Sequence, residues 1–383
     1  MRPLRVLLTG GRAPATLELA RLLHAAGCEV ISAESAPCDL AGASRAVARR
    51  YRLPPPRWAS SAFAAELARI ALLERADLIV PTCEEIFWVA RFRSDLEAVC
   101  PVACEPLGVL EELHDKERFV RLAAGLGLEV PETRPLRGPE DLRALGDPRE
   151  WVLKPTHSRF AARTRLRPSP AALRRWQPLP GERWVAQRYL RGRVLCSYSV
   201  AREGRLCAHA CYAATLTAGA GASVVFRAER HAAVRAWVER FVAARRFSGQ
   251  IAFDFVEGVD GRVAAIECNP RLTSGIHLFA GQAQVVEGLL GREAGEAGVL
   301  EPDGNCAYAL HTALLLRLLG RPACGDLWRA LRQSRDVIAR PGDAVPARAQ
   351  LRSAAWLLAL GWRRGISPLE ASTWDIEYNG SRV

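Results

Sequence analysis

The chain has 383 residues, a net charge of +12 and 49% hydrophobic residues. That length accommodates two or three domains and a large core, and the apolar fraction is that of an ordinary globular protein. The N-terminal apolar stretch is too short for a signal peptide, and the late stretch Ala354–Trp362 is far below membrane-spanning length, so a cytoplasmic protein with no membrane partner is expected.

The basic balance is carried by Arg throughout the chain, with no basic run interleaved with aromatics, so nucleic acid is not expected as a partner. Among 53 Lys+Arg only two are lysines, Lys116 and Lys154. A compact ammonium and a planar guanidinium fork are not equivalent at a phosphate. Two ammonium groups kept on separate elements suit a triphosphate clamp. The 11 cysteines are irregularly spaced, with no Cys-x-x-Cys, and read as small buried hydrophobes in a reducing compartment.

In chain order, residues 5–9 read as a buried strand, followed by the turn Gly10-Gly11. Residues 15–26 have helical periodicity ending at Gly27. Residues 29–33 form a second strand, 61–74 a second helix and 77–81 a third strand, an alternation that implies a parallel sheet. Gly10-Gly11 is not a dinucleotide fingerprint, because Gly-x-Gly-x-x-Gly is absent. A helix is expected over 115–125, a strand after Gly127, a short helix within 137–150, and a strand ending in Lys154. Antiparallel strands follow at 184–187, 197–201 and 206–212, with a turn at Glu203-Gly204. Residues 228–245 read as helical, 250–256 and 263–269 as a hairpin, and the chain from about 283 as mostly helical.

That hairpin carries the sharpest chemical signal. Asp254 lies between Phe253 and Phe255, and an unpaired buried carboxylate is costly without a cation. Glu267 and Asn269 are two residues apart, so they share one strand face, and pairing across 257–262 can bring Asp254 opposite them. Two carboxylates and an amide oxygen form a hard oxygen site suited to Mg²⁺ (or Mn²⁺) held jointly with phosphates. Arg271 takes the next same-face position if Pro270 leaves the alternation intact. From there it could stabilise charge on a transferred phosphoryl group.

These residues, together with 78–85 (Leu-Ile-Val-Pro-Thr-Cys-Glu-Glu), Asp115-Lys116, Leu153-Lys154-Pro155 and Gln187–Gly192, occur in an order and spacing that resemble the ATP-grasp superfamily over roughly residues 1–290. The likeness is to its carboxylate–amine ligases and their relatives, biotin carboxylase and carbamoyl phosphate synthetase. It implies an α/β and α+β architecture. A Rossmann-like pre-domain (1–112) precedes an ATP-grasp unit (113–290, subdomains 113–183 and 184–290), and a mostly helical extension (291–383) follows. It also implies that Lys116 and Lys154 bind ATP phosphates and that Gln187, Arg188, Tyr189 and Leu190 form the adenine hinge. Asp254, Glu267 and Asn269 would be the Mg²⁺ ligands, and Arg271 the residue beside an acyl phosphate, with Lys154 also catalytic. The implied substrates are a small carboxylate and an amine, and a homodimer is one option.

The sequence departs from that pattern in three places. The segment 156–164 after Lys154 has no Gly, with Arg159 and Arg163 as its charges. Gln187 stands where Glu is common, and Val194 where a Glu often touches ribose. The stretch 217–223 is Gly-rich but not a P-loop, so it is either an acceptor-pocket wall or a surface loop. His277 is either a substrate contact or a core residue. An enzyme acting on bicarbonate or carbamate, and a non-catalytic nucleotide-binding protein, stay open as alternatives.

Overall fold

The computed structural model describes residues 2–158, 163–174, 182–214, 216–218, 222–292, 298–304, 306–320 and 324–380. A parallel sheet opens the chain, with strands in the order Val47–Arg52, Glu29–Glu34, Arg5–Thr9, Leu78–Val80. Along Arg5–Thr9, Val6 and Leu8 pack with helix Pro14–Ala25, while Leu7 packs with helix Ser60–Glu74. Period-two alternation thus covers both sheet faces, as a doubly wound arrangement requires. Gly27 ends the first helix at φ +82, a left-handed position that a side chain would strain.

A seven-stranded sheet forms the body, in the order Val263–Asn269, Gly249–Gly258, Gly192–Arg202, Arg205–Ala213, Val225–Glu229, Ala307–Ala309, Arg335–Asp336. Helix Ala232–Arg245 covers one face through Trp237, Val238 and Phe241, against Phe253 and Phe255. The other face meets helix Pro14–Ala25 through Tyr198, Val200 and Ala210, which joins the two sheets into one core. A four-stranded antiparallel sheet, Thr133–Leu136, Trp184–Arg188, Trp151–Pro155, Arg165–Leu166, stands beside the hairpin edge.

Two elements differ from expectation. Val225–Glu229 is a strand and the helix begins only at Ala232, with His231 Nδ1 accepting from the Val234 amide at 3.3 Å. Cross-strand pairing on both sides, to 205–213 and 307–309, overrides the helical pattern of Ala228 and Glu229. Val47–Arg52 adds a fourth parallel strand that its run of charged residues hides. The region after 283 is largely helical (311–320, 325–333, 345–364), yet it contributes two strands to the large sheet. The final segment returns to the first sheet. The Trp88 indole donates to Ile376 O at 3.0 Å, Tyr378 stacks on Phe87 at 5.0 Å, and Asp375 is paired with Arg12.

Candidate active site between two sheets

Asp254 pairs directly with Glu267 on one neighbouring strand and with Cys196 on the other. Phe253 and Phe255 point into the aromatic core, so alternation turns Asp254 to the opposite face. The hairpin register slips by one residue after Asp254, leaving Ile266 as a bulge without a cross-strand partner. Asn269, opposite Ala252, lies two residues beyond Glu267 on the same face.

Burial, and then the charge of Glu267, raise the Asp254 carboxyl from 3.8 to about 6, against the opposing pull of the Cys196 thiol and both lysines. A buried carboxylate facing a like charge is the environment that a divalent cation relieves. Among the described residues no three His, Cys, Asp or Glu are grouped for metal binding. An ion here would therefore draw on two carboxylates, the Asn269 oxygen and donors from outside the protein. That composition fits Mg²⁺, which commonly keeps few protein ligands.

Both lysines reach this hairpin. Lys116 opens helix Lys116–Gly125, whose N-cap Asp115 accepts from the amides of Glu117 and Arg118 at 3.0 and 3.1 Å. Its Nζ lies 3.5 Å from Glu267 Oε1 and donates to Ser158 O at 3.2 Å. Lys154, on the small sheet, donates from Nζ to Ile266 O at 3.1 Å. Both ammonium groups are buried. Desolvation lowers the Lys154 pKa from 10.5 to about 8; Glu267 raises it and Lys116 lowers it further.

Gln187 is buried on strand Trp184–Arg188, and its Nε2 donates to Thr133 Oγ1 at 3.1 Å and reaches Ile266 O at 3.5 Å. The Arg188 amide donates to Glu132 O at 2.7 Å and the Tyr189 amide to Glu150 O at 2.8 Å. The amides of Arg188 and Tyr189 are therefore already spent inside the protein. The Arg188 guanidinium pairs with Glu150 at 2.9 Å and lies over the Trp151 ring.

Pro270 does end the strand at Asn269, so Arg271 is not a same-face strand position. Its amide folds back to Asn269 O at 2.8 Å, and this turn still brings its guanidinium to the end of the hairpin: Nη2 reaches Asn269 Oδ1 at 3.4 Å. Arg271 Nε donates to Glu84 Oε1 at 2.9 Å. Glu84 and Glu85 follow strand Leu78–Val80 at the C-terminal edge of the parallel sheet. Strands Arg5–Thr9 and Leu78–Val80 are neighbours there although the chain first runs the other way, which is where α/β folds open a crevice. Glu85 Oε1 accepts from Thr9 Oγ1 (2.8 Å) and from the amides of Thr82 and Cys83 (both 3.0 Å), and burial pushes its pKa up.

Glu84, within the 78–85 anchor but not among the expected site residues, is brought to the hairpin by its contact with Arg271. His277 is a core residue: it is buried, with Nδ1 3.5 Å from Glu18 and its ring near Phe226. Arg159 and the centre of the Gly-rich stretch (219–221) lie outside the described residues; Thr217-Ala218 pairs with Ala222-Ser223. Arg163 pairs with Glu182 at 2.5 Å. All 11 cysteines are free, and each with a resolved pKa shift is raised, first of all by burial, so none of those is primed as a nucleophile.

A parallel sheet followed by two largely antiparallel sheets facing each other across two lysines and a carboxylate hairpin is the ATP-grasp fold. No family model matches the chain, and no curated protein does. Among solved structures it is similar to N5-carboxyaminoimidazole ribonucleotide synthetase from Thermus thermophilus, with a TM-score of 0.60 and 20% identity over 79% of this chain and 82% of that one. It is similar to L-amino acid ligase from Bacillus licheniformis, with a TM-score of 0.59 and 16% identity over 76% and 75%. It is also similar to the biotin carboxylase domain of Hydrogenobacter thermophilus 2-oxoglutarate carboxylase, solved with MgADP and bicarbonate. There the TM-score is 0.61 and the identity 13%, over 80% and 74%.

Proposed function

We propose that the protein is an ATP- and Mg²⁺-dependent ligase that activates a small carboxylate as an acyl phosphate and joins it to an amine. The observation that carries this reading is the convergence of Lys116, Lys154, Asp254 and Glu267 on one hairpin edge. Lys116 and Lys154 neutralise phosphate oxygens, and Asp254, Glu267 and Asn269 hold the metal. Mg²⁺, when bound there, would supply further charge neutralisation to the phosphates. The substrate carboxylate oxygen attacks the γ-phosphorus and ADP leaves. The amine nitrogen then attacks the acyl carbon, phosphate leaves, and the nitrogen gives up its proton. Arg271, held by Glu84, faces the charge that builds on the acyl phosphate. With the amides of Arg188 and Tyr189 committed, adenine recognition falls to the Leu190 amide, the hinge carbonyls and the Gln187 side of the cleft.

We read residues 1–112 as the pre-domain, 113–290 as the grasp unit and 291–383 as an extension that shares the large sheet. The protein acts on small molecules in the cytoplasm. The likeness to a biotin carboxylase domain favours a second reading, phosphorylation of bicarbonate or carbamate. ADP release measured with pooled acids, with and without amines, separates the two. Release that needs both partners supports the ligase, release with bicarbonate alone supports the second, and nucleotide binding with no release under any acceptor defeats both.

A further inference from the structure

We propose that helix Val345–Arg364 docks the protein on an anionic phospholipid surface, lying in the plane of that surface. The helix has 20 residues, of which only Pro346 and Gly361 are buried. Leu351, Leu358 and Trp362, spaced by seven and four residues, project on one side, and are 66%, 61% and 86% exposed. Arg348, Arg352 and Arg363 run beside them, all exposed. No Asp or Glu occurs in the helix.

Such exposure puts the apolar side chains on a convex ridge. A protein partner would need a complementary groove lined with acids, whereas an anionic lipid surface supplies both apolar depth and negative charge to any ridge. Two copies meeting along this ridge would bring Arg against Arg with no acidic residue on the helix to answer them. No described helix is long and apolar enough to cross a membrane, so the contact is with the surface alone. The ridge belongs to a wider bias: eight of the 14 exposed large hydrophobics among the described residues fall between Leu315 and Trp362. Within it, Leu351, Leu358 and Trp362 lie along one side of a single helix, and large apolar side chains aligned in this way on the outside mark an interaction face.

The test is cosedimentation of the full chain with vesicles of phosphatidylcholine alone and of phosphatidylcholine mixed with phosphatidylglycerol. The protein is expected to pellet with the mixed vesicles at low salt, not with the neutral ones, and to be released as salt rises. The double variant Leu358→Glu/Trp362→Glu is expected to bind the mixed vesicles about tenfold more weakly or worse. The triple variant Arg348→Gln/Arg352→Gln/Arg363→Gln should lose the preference for anionic lipid. Circular dichroism and thermal unfolding like those of the parent establish that both variants fold, which the exposure of the altered positions favours. Equal pelleting with both vesicle types overturns the proposal, as does undiminished binding by both variants, which would assign the attraction to the chain's overall charge. A parent that sediments as a dimer, made monomeric by Trp362→Glu, overturns it in favour of a second copy.

Discussion

Lys154 donates a hydrogen bond to the carbonyl of Ile266, the one residue that the hairpin's bulge leaves without a cross-strand partner. The bond ties the small sheet to the edge of the large one. It also stations an ammonium beside the Asp254–Glu267 pair, whose charges hold its pKa up against burial.

An arginine cannot replace that group, because its planar fork is longer and its charge is spread over three nitrogens. Lys154→Arg is expected to lower ADP release by about 10²-fold while leaving the circular dichroism unchanged. Near-parental turnover in this variant would mean that the ammonium's geometry is irrelevant.

Metal and nucleotide binding should have opposite pH limits. Asp254 must be ionised to bind a cation, and burial beside Glu267 raises its pKa to about 6, so Mg²⁺ affinity should fall as pH drops below that value. Lys154 loses its charge above about 8 in the ligand-free protein, so ADP affinity should weaken as pH rises past it. The signs for stability follow by linkage. Between 3.8 and about 6 the folded protein holds a proton on Asp254 that the unfolded chain has released, so metal-free stability declines as pH rises through that window. Between about 8 and 10.5 it is the unfolded chain that holds the extra proton on Lys154, so this group's contribution improves with pH. Calorimetric titration of Mg²⁺ and of ADP across the range checks the binding limits; flat affinities at both ends contradict them.

Glu84 positions Arg271 from the turn that follows strand Leu78–Val80 of the first sheet. Glu84→Ala should reduce kcat about tenfold or more with little change in the KM for ATP, and Glu84→Gln, which keeps an acceptor for Nε, should recover part of the loss. A rise in the KM for ATP with kcat intact would place Glu84 in nucleotide binding instead.

The Arg12 guanidinium, nearly buried, is shared between Glu34 and Asp375. Asp375→Ala leaves it with one carboxylate and should cost about 2 kcal/mol, read as a lower midpoint in urea unfolding. Burial alone would raise the Asp375 carboxyl, but Arg12 and Ser35 together hold it below its usual range, so its contribution is present near neutral pH and is lost as pH falls through that lowered value. Parental and variant midpoints should therefore converge in acid, and an equal gap at every pH would argue against the ion pair.

Much of the site is legible in the sequence because the responsible patterns are local. Phe253 and Phe255 bracket Asp254 with period two, and a turn at 257–262 forces the return strand opposite it, so the Asp254–Glu267 pairing needs only strand geometry. Lys116 and Lys154 stand out by residue type. Val225–Glu229 is hidden because its neighbours on the sheet, residues 205–213 and 307–309, are not adjacent in sequence, and pairing overrides the helical character of its last residues. Val47–Arg52 escapes notice because an edge strand needs no apolar alternation.

By itself the sequence determined the alternating elements of the first sheet, the carboxylate hairpin and the two ammonium groups, all set by periodicity and side-chain chemistry within short windows. Only the tertiary structure decided that both lysines meet at Ile266 and Glu267, that Glu84 holds Arg271, and that the tail at Asp375 closes on Arg12. These contacts join residues from 112 to 363 positions apart. Burial and packing of whole sheets bring such segments together, and no local pattern records which ones will meet.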